Sequence, residues 1–249
     1  LADERVKRRD YEEYIESWAH EVKTPLTLIT LMLDSRSEEM SETVRARLSG
    51  SQIQIQGYVE QILCYSRLKA EHKDYVMESL SPAECCREVL AEYQFLLQAY
   101  GFRIRESYTD DSVFTDRKAL RFLLGQVIIN AAKYRKTDGT DPELYVRIRR
   151  AEDGRSTILS VADNGIGVMK QDLPFIFDKG FCSETGESGR TSTGMGLYLV
   201  RQMAEDLGIG VTAESEYGHG FAIHFCFCDV RDNEKREREC NKGLLPDLL

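Results

Sequence analysis

The sequence predicts a multi-domain chain: an all-α antiparallel helical hairpin, then an α/β sandwich with a mostly antiparallel sheet covered by helices on one face. Three observations predict it. Apolar residues recur at helical spacing over Leu1 to about Ser35 and again over Glu42 to Lys69, with only the polar stretch Ser35 to Ser41 between them. Glu71 to Pro82 is polar and ends in a Ser81-Pro82 break. Beyond it, helical periods mix with short alternating strands. The expected division is therefore a hairpin at 1–70, a linker at 71–82, an α/β domain at 83–228 and a charged tail at 229–249.

Each element has its own warrant. At ~100° per residue, Ile15, Trp18, Val22, Leu26, Ile29 and Leu33 fall on one stripe of the first helix. In the second, Ile55, Val59, Ile62 and Ser66 share a face, joined by Tyr58 and Leu63. One hairpin buries each stripe only partly. Pairing two hairpins into a four-helix bundle completes the burial, which predicts a homodimer. The alternative is a hairpin packed onto its own C-terminal domain. Pro82 to Tyr100 reads as a helix stopped at Gly101, and Phe102 to Tyr108 as a strand. Asp116 can cap a helix running to about Tyr134. Leu144 to Arg150 and Thr157 to Ala162 read as strands. Gly196 to Leu207 is a helix ended by Gly208. Val211 to Glu216 and Phe221 to Phe227 form a closing hairpin.

Composition narrows the function. Of 249 residues, 33 are Lys or Arg and 42 Asp or Glu, giving a net charge of -9. With no basic stripe interleaved with aromatics, this excludes a general nucleic-acid binder. The 7 cysteines include no CxxC pair, which argues against zinc and for reduced thiols in a cytosolic setting. No apolar run approaches the ~20 residues of a membrane span. The first residue is Leu1, which reads as the start of a fragment.

The first chemical signal is His20-Glu21-Val22-Lys23-Thr24-Pro25. His20 lies ~160° from the centre of the apolar stripe, on the wet side, with Thr24 one turn further on. Glu21 flanks it and can accept the Nδ1 proton, leaving Nε2 with a free lone pair. Pro25 removes a helix donor and crowds the carbonyl of Glu21, so a bend is expected within one turn. Alone, His20 reads more readily as an ordinary exposed histidine.

Further signals follow in order. Gln126, Asn130 and Lys133 recur at i, i+4 and i+7 on one helix face. An amide that can offer oxygen to Mg²⁺ and an ammonium that can neutralise phosphate suit a metal-triphosphate, although a plain wet face has the same pattern. Asp163-Asn164-Gly165-Ile166-Gly167 ends a strand in a carboxylate and then turns on glycines. Such a carboxylate can accept a hydrogen bond from an adenine amino group, but D-x-G-x-G is also a common turn. Phe175, Phe177 and Phe181 could root a mobile loop or simply pack. Cys182 to Thr193 has the small, polar composition of a lid. Gly194-Met195-Gly196 opens a helix, where phosphate oxygens can meet free N–H groups.

In this order the motifs resemble those of sensor histidine kinases. His20 to Pro25 resembles the phosphoacceptor box, Gln126 to Tyr134 the N box, Asp163 to Gly167 the G1 box, Phe175 to Phe181 the F box and Thr193 to Leu197 the G2 box. The resemblance spans roughly Arg9 to Phe227. It implies a dimeric phosphoacceptor hairpin, an ATP-binding domain of the gyrase, Hsp90 and MutL type, Mg-ATP as substrate, and transfer from His20 to an aspartate on a response regulator receiver domain. By position it implies Glu21 as general base and Thr24 as the residue orienting water for regulator dephosphorylation. Asn130 would hold Mg²⁺, Lys133 and Tyr134 would line the nucleotide, and Asp163 would read adenine with Gly165 and Gly167 as the turn. Phe181, Arg190, Thr193, Gly194, Gly196 and Leu197 complete the implied ATP-binding set. Two departures stand out: Gln126 where many members have Asn, and a G2 box lean in glycine at Ser192-Thr193.

Asp178-Lys179-Gly180-Phe181, Gly189-Arg190 and Ser192 to Leu199 are similar to the bacitracin-sensing type. That type implies a bacterial cell-membrane protein of which this is the cytoplasmic fragment. It also implies an antimicrobial-peptide ABC transporter as partner, reached through membrane segments not included here. A nucleotide-binding scaffold without phosphotransfer and an ATPase clamp remain the competing readings. The His20 box and the lack of Glu at Gln126 count against the clamp.

Overall fold

The structure is a computed structural model that describes residues 2–35, 40–70, 73–152, 154–183 and 193–228. It divides into two compact units, 1–74 and 75–249.

The first unit is two long helices, α1 (Ala2–Ser35) and α2 (Glu42–Lys69), packed side by side. Ser41 caps α2, its hydroxyl accepting from the Val44 N–H. Between the helices, Gln52 Nε2 donates to Thr30 Oγ1 at 2.9 Å. Among the described side chains of α1 the buried apolar residues are Ala19, Leu26 and Leu33, spaced by seven. This is narrower than the stripe the sequence predicts, because one neighbouring helix covers only a heptad seam. The predicted core residues Ile29, Ile55 and Ile62 remain 42%, 45% and 38% exposed. Pro25 lies inside α1, and the helix continues through it. Around it three threonine hydroxyls donate back one turn: Thr24 to His20 O, Thr27 to Lys23 O and Thr30 to Leu26 O. Such back-bonds favour bending, but the helical assignment is unbroken.

The second unit runs β1 (Met77–Leu80), α3 (Pro82–Glu92), α4 (Gln94–Ala99), β2 (Arg103–Ser107), β3 (Val113–Asp116), α5 (Arg117–Lys133), β4 (Glu143–Arg150), β5 (Ser156–Asp163), a 3-10 turn (Leu173–Phe175), α6 (Gly196–Asp206), β6 (Gly210–Glu216) and β7 (Gly220–Cys228). Among the described residues the main sheet has the order β2-β4-β5-β7-β6. Its pairs are antiparallel except β2 with β4. A separate antiparallel pair, β1 with β3, was not foreseen. It places Met77–Leu80 in a strand inside the stretch expected to be a linker. The segment expected as one helix from Pro82 to Tyr100 is two, broken at Tyr93, which leaves helical geometry and buries its ring.

The core lies between one sheet face and the helices. Leu144, Val146, Ile148, Leu159, Val161, Ile223 and Phe225 are fully buried, as are Leu120, Leu123 and Leu124 of α5 and Leu199, Val200 and Met203 of α6. Each such side chain contributes about 1.5–3 kcal/mol by leaving water. This core fixes α5 over β5, and the functional residues sit at the shared end of those two elements.

Candidate nucleotide site

Asp116 ends β3 and starts α5: its Oδ1 accepts from Ala119 N at 2.8 Å and its Oδ2 from Val76 N at 2.7 Å. The helix then turns Leu120, Leu124, Val127 and Ala131 into the core. That rotation leaves Asn130 and Lys133 half-buried near its C-terminus. Gln126, expected on the same wet face, is instead 2% exposed and lies in the core. The ammonium of Lys133 lies 5.3 Å from the centre of the Tyr134 ring. Burial pulls its pKa below the ordinary lysine value, and the nearby Cys182 opposes this.

Tyr134 joins this helix end to the β5 turn, its carbonyl accepting from Ile166 N at 2.9 Å. At the end of β5, Asp163 Oδ1 accepts from Gly165 N at 2.8 Å. Burial pushes the Asp163 carboxyl up to about 6, against the lowering effect of hydrogen bonds from the Gly165 and Phe221 backbone. The turn needs its glycines. A Cβ on Gly165 would lie 2.5 Å from Tyr134 O, and one on Gly167 (φ +65) would lie 2.3 Å from Glu216 O.

A cavity of about 90 Å³ opens over this turn. Of the residues predicted from sequence, Asn130, Tyr134, Asp163, Gly167, Phe181 and Leu197 line it. Gln126, Lys133, Gly165, Thr193, Gly194 and Gly196 do not, and Arg190 lies outside the described residues. Gly194 still bears on the wall, because its carbonyl accepts from Gly180 N at 3.1 Å. Six wall residues were not predicted: Ile166, Val168, Ile176, Cys182, Ser183 and Phe221. Ile166 and Val168 bracket Gly167 and were within reach of the turn motif. Phe221 was not, since only the register Asp163↔Phe221 brings it there.

The chemistry of this wall is specific. Apolar side chains surround one half-buried carboxylate, which suits a flat heterocycle with an amino group to donate. Asn130 offers a neutral amide oxygen. Among the described residues there is no group of three or more His, Cys, Asp or Glu that could hold a metal alone. A single amide oxygen nevertheless fits Mg²⁺, which keeps several waters and takes its remaining ligands from substrate phosphates. In the other unit, His20, Glu21 and Thr24 are all exposed on α1, with Thr24 Oγ1 3.2 Å from His20 O.

Residues 115–231 match the family described as histidine kinase-, DNA gyrase B-, and HSP90-like ATPase. This unit is therefore an ATPase-type domain of that class. Sensor histidine kinase YxdK of Bacillus subtilis is 33% identical over 215 residues, covering 86% of this chain and 64% of that protein. Sensor histidine kinase GraS of Staphylococcus epidermidis is 30% identical over 239 residues, covering 96% and 66%. Sensor protein BceS of Bacillus subtilis is 31% identical over 228 residues, covering 91% and 65%. The chain belongs to the sensor histidine kinases of two-component systems, and it spans about two thirds of the length of these relatives. Two solved structures share the fold. Acinetobacter baumannii histidine kinase AdeS has a TM-score of 0.56 at 19% identity, covering 84% of this chain and 97% of that one. Full-length ShkA, solved in complex with AMPPNP, has a TM-score of 0.60 at 22% identity, covering 87% and 46%. Among the described residues, no helix is long and apolar enough to cross a membrane.

Proposed function

We propose that this chain is the kinase portion of a two-component sensor that uses Mg-ATP to phosphorylate His20. The observation carrying the proposal is the half-buried Asp163 carboxylate in an apolar cavity faced by Asn130. Asp163 accepts from the adenine amino group, Tyr134 and Phe221 flank the base, and Asn130 holds Mg²⁺ against the phosphates. Lys133 neutralises a phosphate. The metal, when bound, offsets charge on the phosphate oxygens.

On α1, Glu21 takes the Nδ1 proton of His20. The Nε2 lone pair then forms a bond to the γ-phosphorus as the bond to the ADP oxygen breaks. The phosphoryl group next passes from Nε2 to a receiver-domain aspartate. Thr24 orients water when the regulator is dephosphorylated. The apolar residues left exposed on α1 and α2 support a homodimer in which two antiparallel hairpins form a four-helix bundle. The resemblance to bacitracin-sensing kinases supports a membrane-bound parent protein and an ABC-transporter partner.

Incubation with γ-labelled ATP and Mg²⁺ tests the reading. Acid-labile label on the protein is the expected result. Free phosphate without label identifies an ATPase clamp instead, and neither product identifies a scaffold.

A further inference from the structure

Phe181, Cys182 and Ser183 form one wall of the cavity, yet they belong to no helix or strand. A wall without a ladder is held by individual bonds. Phe181 N donates to Asp178 O at 3.1 Å, and Gly180 N to Gly194 O at 3.1 Å. Both are backbone bonds that many sequences could make. A further bond is particular to two side chains: Ser183 Oγ donates to Asp172 Oδ2 at 2.6 Å. That length is typical of a hydroxyl bonded to an ionised carboxylate.

Asp172 is itself anchored. Its N–H donates to Met169 O at 2.9 Å, and its carbonyl accepts from Phe175 N at 2.9 Å. Three residues on, the Phe175 ring packs at 6.1 Å from the Phe181 ring. One turn, Asp172 to Phe175, therefore braces the cavity wall at two points. Asp172 is not part of the wall.

We infer that Asp172 is a positioning residue for the nucleotide cavity, holding the Phe181–Ser183 wall through the Ser183 hydroxyl without touching the ligand. The inference rests on the reading of this cavity as a nucleotide site.

The test uses Asp172→Ala, Asp172→Asn, Ser183→Ala, Ser183→Thr and the double alanine variant. Nucleotide Kd is read by calorimetry, KM and kcat from autophosphorylation, and the rate of Cys182 alkylation by peptide mass spectrometry. Each single alanine variant should weaken nucleotide binding roughly tenfold, the effect of a hydrogen bond to a charged group. KM should rise with Kd while kcat stays within twofold. The double variant should be no worse than either single one. Asn at 172 and Thr at 183 keep the acceptor and the hydroxyl and should restore most of the affinity. Cys182 should alkylate faster in Asp172→Ala than in the wild type. Unchanged Kd in both single variants, additive losses, or a fall in kcat at constant KM overturns the inference. Should Asp172→Ala not fold, Ser183→Ala against Ser183→Thr decides alone. Wild-type protein that binds no nucleotide, or whose Cys182 nucleotide does not protect, overturns the cavity reading instead.

Discussion

The two units solve the burial problem differently. The α/β unit hides Leu120, Leu123, Leu144, Leu159, Ile223 and Phe225 completely. Among its described residues the helical unit buries a narrow seam and leaves Leu28, Ile29, Leu31, Met32, Leu48, Ile55 and Ile62 between 38% and 60% exposed. The packing of sheet against helices is complete within one chain. Two helices cannot cover each other on more than one side. The comparison teaches that the α/β unit completes its core within one chain, while the helical unit leaves apolar faces uncovered.

The sharpest way to break the comparison is chemical. His20→Gln should abolish protein labelling from γ-labelled ATP and leave nucleotide Kd unchanged, because acceptor and cavity lie in different units. Label retained on that variant would move the acceptor to another residue.

Next in size is the assembly itself. Ile55→Asp with Ile62→Asp puts two charges on one face of α2. Each isoleucine covered by a second hairpin is worth about 1.5–3 kcal/mol, so dimer affinity should fall at least ~100-fold. Sedimentation should show monomers, with the melting of the α/β unit unmoved. Intact dimers would place those residues on some other face.

A change confined to the other unit comes third. Asp163→Asn should weaken ATP binding by about 1.5–3 kcal/mol in calorimetry. The pH dependence has a definite sign. Asp163 is held at about 6 against an ordinary 3.8, so the native state keeps its proton where the unfolded chain has lost it. Its contribution to stability is present below this window and falls as pH rises from 3.8 towards about 6. ATP, which favours the carboxylate, should bind more tightly across the same rise and level off above it. The Asn variant should lose both slopes. A wild-type profile without them would remove adenine from Asp163.

The smallest effect belongs to Thr24. Its hydroxyl donates to His20 O and so keeps lone pairs outward, where a water can donate to them. Thr24→Ala should change autophosphorylation by no more than a few-fold and the helix by less than ~0.7 kcal/mol, yet lower regulator dephosphorylation. Equal losses in both rates would assign Thr24 to helix geometry around Pro25.

What was legible in the sequence followed from local rules. Asp116 as a cap, the α5 core stripe and the glycine turn after Asp163 each depend on residues within a few positions. What was missed depended on distant partners. The four-residue strands Met77–Leu80 and Val113–Asp116 are too short and too charged to show a period, and only pairing defines them. Gln126 has the right spacing for the wet face, but the neighbouring layers close over it. Ile55 and Ile62 read as core because periodicity reports that a face is apolar without reporting how many chains cover it.

The contact between Gly167 and the carbonyl of Glu216 also carries a message about timing. The turn bearing Asp163 is synthesised well before its backing: Ser215, whose hydroxyl meets Val168 N, and Phe221, the cross-strand partner of Asp163, come some fifty residues later. A ribosome-bound chain that has extruded only as far as α6 thus carries nearly every motif, while the turn bearing Asp163 still lacks its backing and the cavity lacks its Phe221 side.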